Sequence, residues 1–189
     1  KAKELRAPIF ADLIFQMREI GDLKFRDRIV VVKGQVQGNI GGFGTYCSPA
    51  NPNIRHDSYD LMVFCKNSWT LEPPLEGCLS DITEQEFQEY AKSTWYIPPL
   101  RRNAANHPCP WNPELLKRVM KLYSYPTQIV LDPFAGTGGV AKVALENRRR
   151  YICIEQSQIF CKYAKQQAVL ASLPIIDPNE RTLTTAERL

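Results

Sequence analysis

Histidine is scarce in this sequence, with two among 189 residues. The six cysteines, at 47, 65, 78, 109, 153 and 161, contain no Cys-x-x-Cys pair. Zinc sites are built from closely spaced Cys and His, so this shortage argues against a metal. Long apolar runs are missing too. No stretch approaches the roughly 18 residues that cross a bilayer, and no membrane partner is expected. The opening KAKELRAPIF lacks the apolar segment and small-residue cleavage site of a secretory signal. Several cysteines sit in apolar runs such as LMVFCK and RYICIE, where a reduced thiol acts as a small hydrophobe. A cytoplasmic location is the expectation. Because the sequence does not start with Met, a processed or incomplete chain is also expected.

Neither sign of charge dominates; the net charge is +4. Basic residues nevertheless cluster: Lys24, Arg26, Arg28 and Lys33; Arg101 and Arg102; Arg148, Arg149 and Arg150. A polyanionic partner fits such clusters, and so does a solvated surface.

The pattern along the chain is that of an α/β domain. PIFADLIFQMREIG places Phe10, Leu13, Ile14 and Met17 on one helical face, with Gly21 as a stop. DRIVVVK reads as a strand buried on both faces, and SYDLMVFCK as another. The glycine-rich VQGNIGGFGTYCSPANPNIRHD between them reads as irregular loop. DITEQEFQEYAKSTW predicts a helix capped by Asp81 or Thr83. A helix opening at Pro113, a buried strand TQIVLD, a glycine loop, a helix, the strand RYICIE and a helix opened by Ser157 then follow. This β-α-β-α order predicts a doubly wound sheet, with a ligand crevice at the strand carboxyl ends.

The glycine loop, LDPFAGTGG, decides the ligand class. GTGGVA satisfies G-x-G-x-x-A, and Glu155 follows Gly136 by 19 residues, as in a dinucleotide fingerprint whose acid binds a ribose hydroxyl. Asp132 stands against that reading. A dinucleotide puts its pyrophosphate at this turn, where a carboxylate ending the strand repels it. S-adenosylmethionine carries an ammonium, a carboxylate and a sulfonium instead of phosphate, so the same acid attracts it. Glu155 keeps its ribose role under both readings. A turn that uses glycine only for tightness is the structural alternative.

Beyond these residues, NHPCPWNPELLKRVMKLYSYPTQIVLDPFAGTGGVAKVALENRRRYICIE resembles the cofactor half of the β-group DNA amino-methyltransferases, which modify adenine N6 or cytosine N4. In that permuted group, the HP-x-P segment (His107, Pro108, Pro110) and its helix precede the DPF-x-G-x-G loop. The strand ending in Lys33, the SP-x-NP-x-x-R loop from Ser48 to Arg55 and the stretch SDITEQEFQEYAKSTWYIPP are similar to the group's middle region. The likeness runs over roughly residues 10 to 167. It implies a circularly permuted, Rossmann-like methyltransferase fold, incomplete at the N-terminus. It implies S-adenosyl-L-methionine held by Asp132, Pro133, Phe134, Ala135, Gly136, Thr137, Gly138, Glu155 and Gln156, with His107 and Pro108 as a wall. Gly139 and Val140 replace the hydroxyl residues that usually open the next helix, which should remove a polar contact.

The resemblance also exposes a gap. In this group an [Asp/Asn/Ser]-Pro-Pro-[aromatic] tetrapeptide accepts the amine's hydrogens and stacks on the flipped base. The chain has EPPL and IPPL, without acceptor or aromatic, and CSPANP, which has Ala50 and Asn51 in the wrong places. Three readings stay open: an upstream segment carries the motif, a second subunit supplies it, or activity is lost.

DNA is the implied partner, with Lys33, Arg55, Arg101 and Arg102 as phosphate contacts. Arg148, Arg149 and Arg150 lie at the wrong end of the strands for that role. Trp95, Tyr96 and Trp111 face either a flipped base or the core. His56 reads as a surface or DNA-backbone residue. The segment from Asn67 to Trp95 is short for target recognition. The expected organisation is a methyltransferase catalytic domain over 1–175 and a tail over 176–189. Within the domain lie a target-side half (1–66), a connector (67–106) and a cofactor half (107–175). A role in restriction–modification follows from the resemblance alone.

Overall fold

Val30 and its β-branched neighbours lie at the centre of a three-stranded sheet. In the computed structural model, which describes residues 9–34, 45, 47–51, 57–100 and 110–172, strand β1 (Leu23–Val32) follows helix α1 (Ile9–Glu19). It pairs antiparallel with β2 (Ser58–Lys66) and parallel with β3 (Thr94–Tyr96). Helix α2 (Glu84–Tyr90) precedes β3, and α3 (Pro113–Tyr123) follows it. A second, parallel pair is formed by β4 (Ile129–Asp132) and β5 (Arg150–Cys153), joined by α4 (Gly139–Glu146) and followed by α5 (Gln158–Ser172). The predicted α/β character holds; among the described residues the strands form two sheets, not one.

Several expectations need correction. Strand β1 begins four residues before DRIVVVK, because Lys24, Arg26 and Arg28 are strand residues facing partners across the hairpin. Lys24 donates to the Asn67 carbonyl at 3.2 Å, Arg26 to that of Trp69 at 2.9 Å, and Arg28 pairs with Asp60 at 2.7 Å. The basic run is thus partnered within the protein. Only Ile29 and Val31 of this strand are buried; Val30 and Val32 are half-buried, so coverage is one-sided. Leu13, on the apolar face of α1, is exposed. The predicted long helix stops at Tyr90, and Thr94–Tyr96 becomes β3. Its cap is Thr83, whose hydroxyl accepts from Glu86 N–H while Glu86 accepts from Thr83 N–H, a reciprocal capping box. Strand β4 also departs from expectation. Val130 packs inward, but Ile129 and Leu131, with Ile152 and Ile154 beside them, are exposed.

Helix α3 joins the two sheets. Asn112 caps it through Glu114 N–H at 2.9 Å, and Pro113 occupies its first position. Leu115, Val119, Leu122 and Tyr123 pack on Ile29, Val31, Trp95 and Ile97. Leu116 and Met120 pack on Val143, Ala144 and Val130.

The far end of α3 is held by a buried guanidinium. Arg149 is 2% exposed. It forks onto the Asp81 carboxylate and donates to the carbonyls of Ser124 and Asn147, each at 2.6 Å. All its nitrogens are engaged, so the run Arg148–Arg150 is structural at its centre. Burial raises Asp81, but the hydrogen bonds and charge of Arg149, with Lys121, outweigh it and hold the carboxyl below its usual range. Burial likewise opposes ionisation of Glu86. Hydrogen bonds from Lys121, Thr83 N–H and Lys117 overcome it and hold Glu86 at about 2.

Replacing Arg149 with Ala leaves Asp81 without its main partner, and removing one member of a buried pair costs about 3–5 kcal/mol; urea unfolding at neutral pH measures it. Both carboxyls lie below their unfolded values, so the stabilisation each supplies is lost as pH falls; for Glu86 it is complete above about pH 4.5 and disappears towards 2. The urea midpoint of wild type should therefore drop across that window, and less steeply in Glu86→Gln.

Candidate functional site

The glycine loop leaves the tip of β4 as a tight, self-bonded turn. Phe134 N–H donates to Asp132 Oδ1 at 3.0 Å, Ala135 N–H to the Ile154 carbonyl at 3.0 Å, and Gly138 N–H to the Ala135 carbonyl at 2.8 Å. Gly136 N–H donates to Glu155 Oε2 at 2.8 Å. The other oxygen of Glu155 accepts from Ser157 N–H at 2.8 Å, which fixes the entry to α5. One carboxylate therefore ties the loop after β4 to the turn after β5. Residues Ala135 to Gly138 are buried, whereas Phe134 is exposed.

Gly138 makes this packing possible. Its φ is +80°, and an added Cβ would lie 2.7 Å from Ala164 Cβ and 2.8 Å from Ala164 Cα. It also stands at the N-cap of α4, where no side chain caps the helix.

Above the loop is an open cleft of about 230 Å³, walled by Asp132, Phe134, the glycines, Trp111, Lys142 and Tyr163. That is below the roughly 300–1,000 Å³ of small-molecule pockets, so the described walls enclose a ligand only in part. Asp132 and Cys153 are register partners at the strand tips. Burial, and then the Asp132 charge, push the Cys153 thiol up, which favours its neutral form. No group of His, Cys, Asp and Glu suited to a metal occurs among the described residues. No described helix is long and apolar enough to cross a membrane.

The predicted residues divide clearly. Asp132 to Gly138 and Glu155 come together, and Gln156 lies exposed next to them. Lys33 is half-buried, with its ammonium 5.5 Å from the centre of the Tyr59 ring. Arg55, Arg101, Arg102, His107 and Pro108 lie outside the described residues, as does His56. Trp95 is core, its indole N–H donating to the Tyr90 carbonyl at 2.9 Å. Tyr96 and Trp111 are exposed. Sequence reasoning missed Tyr59, Lys142 and Tyr163. Lys142 and Tyr163 carry no motif, and only the fold brings them to the cleft.

A family model described as DNA methylase matches residues 4–166. The DNA adenine methyltransferase YhdJ of Escherichia coli (strain K12) is 34% identical over 88 residues, which is 45% of this chain and 30% of that protein. Among solved structures, TTHA0409 of Thermus thermophilus, described provisionally as a DNA modification methylase, was crystallised with S-adenosyl-L-methionine. It superposes with a TM-score of 0.63 at 20% identity, over 87% of this chain and 60% of that one. PvuII DNA methyltransferase, which is cytosine-N4-specific, gives a TM-score of 0.56 at 15% identity, over 92% of this chain and 58% of its own. The matched region spans less than two thirds of each relative. Likeness at such identities establishes the Rossmann-like α/β fold.

Gly138→Ala should destabilise the protein by about 1–3 kcal/mol through overpacking, with left-handed backbone strain in addition. A second change, Ala164→Gly, should restore only part of that loss, since the clash with the α5 backbone at residue 164 and the strain persist. Urea unfolding of the single and double variants measures both.

Proposed function

The chain belongs to the DNA methylase family, and from that premise we propose that it forms the methyl-donor half of a DNA amino-methyltransferase. Its donor is S-adenosyl-L-methionine and its target is adenine N6 or cytosine N4. One observation carries the choice of ligand: the N–H groups of Phe134, Ala135, Gly136 and Gly138 are all engaged within the protein. A phosphate-binding loop works by presenting such donors to an anion. Here they are turned inward, with a carboxylate at the strand tip. Such a turn disfavours pyrophosphate and suits a cationic ligand, so the nicotinamide reading is set aside.

The residues fit the methyl donor by their chemistry. Asp132 offers negative charge to an ammonium. Glu155, a carboxylate between the two turns, is proposed to accept ribose hydroxyls through charge-assisted hydrogen bonds. The buried loop and Trp111 both line the cleft. Pro133 and Gln156 complete the proposed contacts, with His107 and Pro108 extending the wall. When bound, the donor supplies a sulfonium methyl, an electrophile that needs no metal. Lys33, Arg55, Arg101 and Arg102 are the proposed phosphate contacts on DNA.

The acceptor of the amine's hydrogens is proposed to come from outside this chain, either from an upstream segment or from a second subunit. Three observations support this: no complete tetrapeptide occurs in the sequence, the row Ile129, Leu131, Ile152, Ile154 is exposed, and the cleft is small and open. Parallel strands of this architecture are ordinarily covered on both faces. A restriction–modification role is the accompanying expectation.

Titration calorimetry tests the donor site. The chain should bind S-adenosylhomocysteine and not NAD, and Asp132→Asn should weaken binding roughly tenfold, as for loss of one charged hydrogen bond. Tight NAD binding without response to S-adenosylhomocysteine would reverse the assignment. Tritiated methyl transfer to DNA should be absent from the chain alone and appear when the acceptor-bearing segment is added.

A further inference from the structure

The finishing end of α3 lines a second cavity, of about 670 Å³, that shares no lining residue with the donor cleft. Its size falls within the range of pockets that hold small molecules. The end of β2, the chain just after it, α2 and the turn beyond α3 enclose it. Three kinds of chemistry meet on its walls. Trp69 and Phe87 are aromatic and remain 53% and 54% exposed. Ser68 and Ser80 accept from Thr70 N–H at 3.1 Å and Ile82 N–H at 3.3 Å, so each hydroxyl keeps a proton to donate. Arg26, Lys66 and Lys121 are the cations, and no acid is among the described lining residues. Glu86 answers Lys121 at 2.6 Å, whereas Asp27 stays 3.6 Å from Arg26 and Lys66 is exposed at the end of its strand. Arg26 and Lys66 therefore carry the positive charge that the cavity can offer. The rim is also held in place. Arg26 donates to the Trp69 carbonyl at 2.9 Å and lies 6.0 Å from the centre of the Tyr123 ring, which ties the aromatic wall to α3.

We infer that this cavity is a second small-molecule site and that its ligand is a free mononucleotide. A nucleotide presents a planar base, sugar hydroxyls and a phosphate. The cavity offers exposed aromatic surface, hydroxyl partners and cations, with no carboxylate to oppose the phosphate. Aromatic side chains pair with planar rings through their faces and edges, and a cation beside apolar walls attracts an anion more strongly than it does in open water. The donor cleft has the reverse electrostatics, a carboxylate at a strand tip suited to a cation. The two sites also sit at opposite ends of α3: Trp111, before its start, walls the cleft, and Lys121 to Tyr125, at its finish, line the cavity. Both ligands are accommodated together. The inference goes beyond the methyl-donor reading and does not depend on it.

Titration calorimetry of the full chain with adenosine monophosphate tests the site. Adenosine should bind roughly threefold more weakly, as for loss of one exposed ion pair, and the difference should shrink as salt rises. Trp69→Ala should weaken binding roughly two- to tenfold, the range for losing one aromatic pair. Lys66→Gln should reduce the preference for the monophosphate over adenosine. Trp111→Ala, in the donor cleft, should leave the affinity unchanged. Circular dichroism confirms that each variant is folded. Undetectable binding, equal affinity for adenosine and its monophosphate, or a loss in Trp111→Ala with none in Trp69→Ala overturns the site. So does competition by S-adenosylhomocysteine, which would place the nucleotide in the donor cleft. The last arm adds the acceptor-bearing segment. Nucleotide binding that persists supports a separate site, whereas its loss makes the cavity the seat of that segment and overturns the inference. A chain that binds the nucleotide but not S-adenosylhomocysteine sinks the donor reading alone.

Discussion

Helix α3 touches both sheets, and the position of the glycine loop depends on it. Two adjacent stripes on one short helix divide the work. Leu115, Val119, Leu122 and Tyr123, at i, i+4, i+7 and i+8, meet the β1–β3 core. Leu116 and Met120, at i and i+4, meet α4 and Val130. Each well-buried apolar side chain contributes roughly 1.5–3 kcal/mol, so sliding the helix would weaken both cores together. Its two ends are fixed independently. Asn112 bonds both to Glu114 N–H and to the Pro98 carbonyl, which anchors the start. Arg149 takes the Ser124 carbonyl at the finish and carries that hold to Asp81. The same anchoring seats Trp111, the residue before the cap, at the rim of the cleft.

Against this fixed frame, the loop is selective through what it withholds. Backbone N–H groups at the start of a helix attract anions whenever they are available. Here Glu155 takes the Gly136 N–H, and Asp132 takes that of Phe134. Both acids lower the turn's appetite for negative charge, one by occupying a donor and one also by its position at the strand tip. A cationic ligand meets no such opposition. The Glu155 bridge also ties the turn after β4 to the turn after β5 as a single unit.

The loop, its flanking strands and the helix from Pro113 were legible in the sequence because their signals are local: a glycine run, a proline at N1, a short β-branched stretch. The N-cap of α2 was narrowed to two residues, and the structure selects Thr83 because Asp81 is taken by Arg149, a partner 68 residues away. Long-range pairing was the part that could not be read. Lys24, Arg26 and Arg28 looked like a basic cluster until β2 supplied Asp60 and the chain beyond it two carbonyls. Thr94–Tyr96 looked like the end of a helix because so short a strand is unable to show alternation. Arg149 stood within the most basic tripeptide of the chain and is one of its most buried side chains. In each case the deciding contact is distant in sequence, where composition carries no information.

The one-sided burial of β4 and β5 and the partial cleft have a common physical origin. Ile129, Leu131 and Ile152 alternate with Val130 and Cys153, so the strands are apolar on both faces while the described helices pack on one. A surface strand that evolved to face water would carry polar residues at those alternate positions, as one-sided antiparallel strands do. The row instead has the composition of a strand covered twice, which is the physical ground for the proposal that another layer docks there. Docking of such a layer would take this apolar row out of water, so it would raise the stability of the β4–β5 half of the chain.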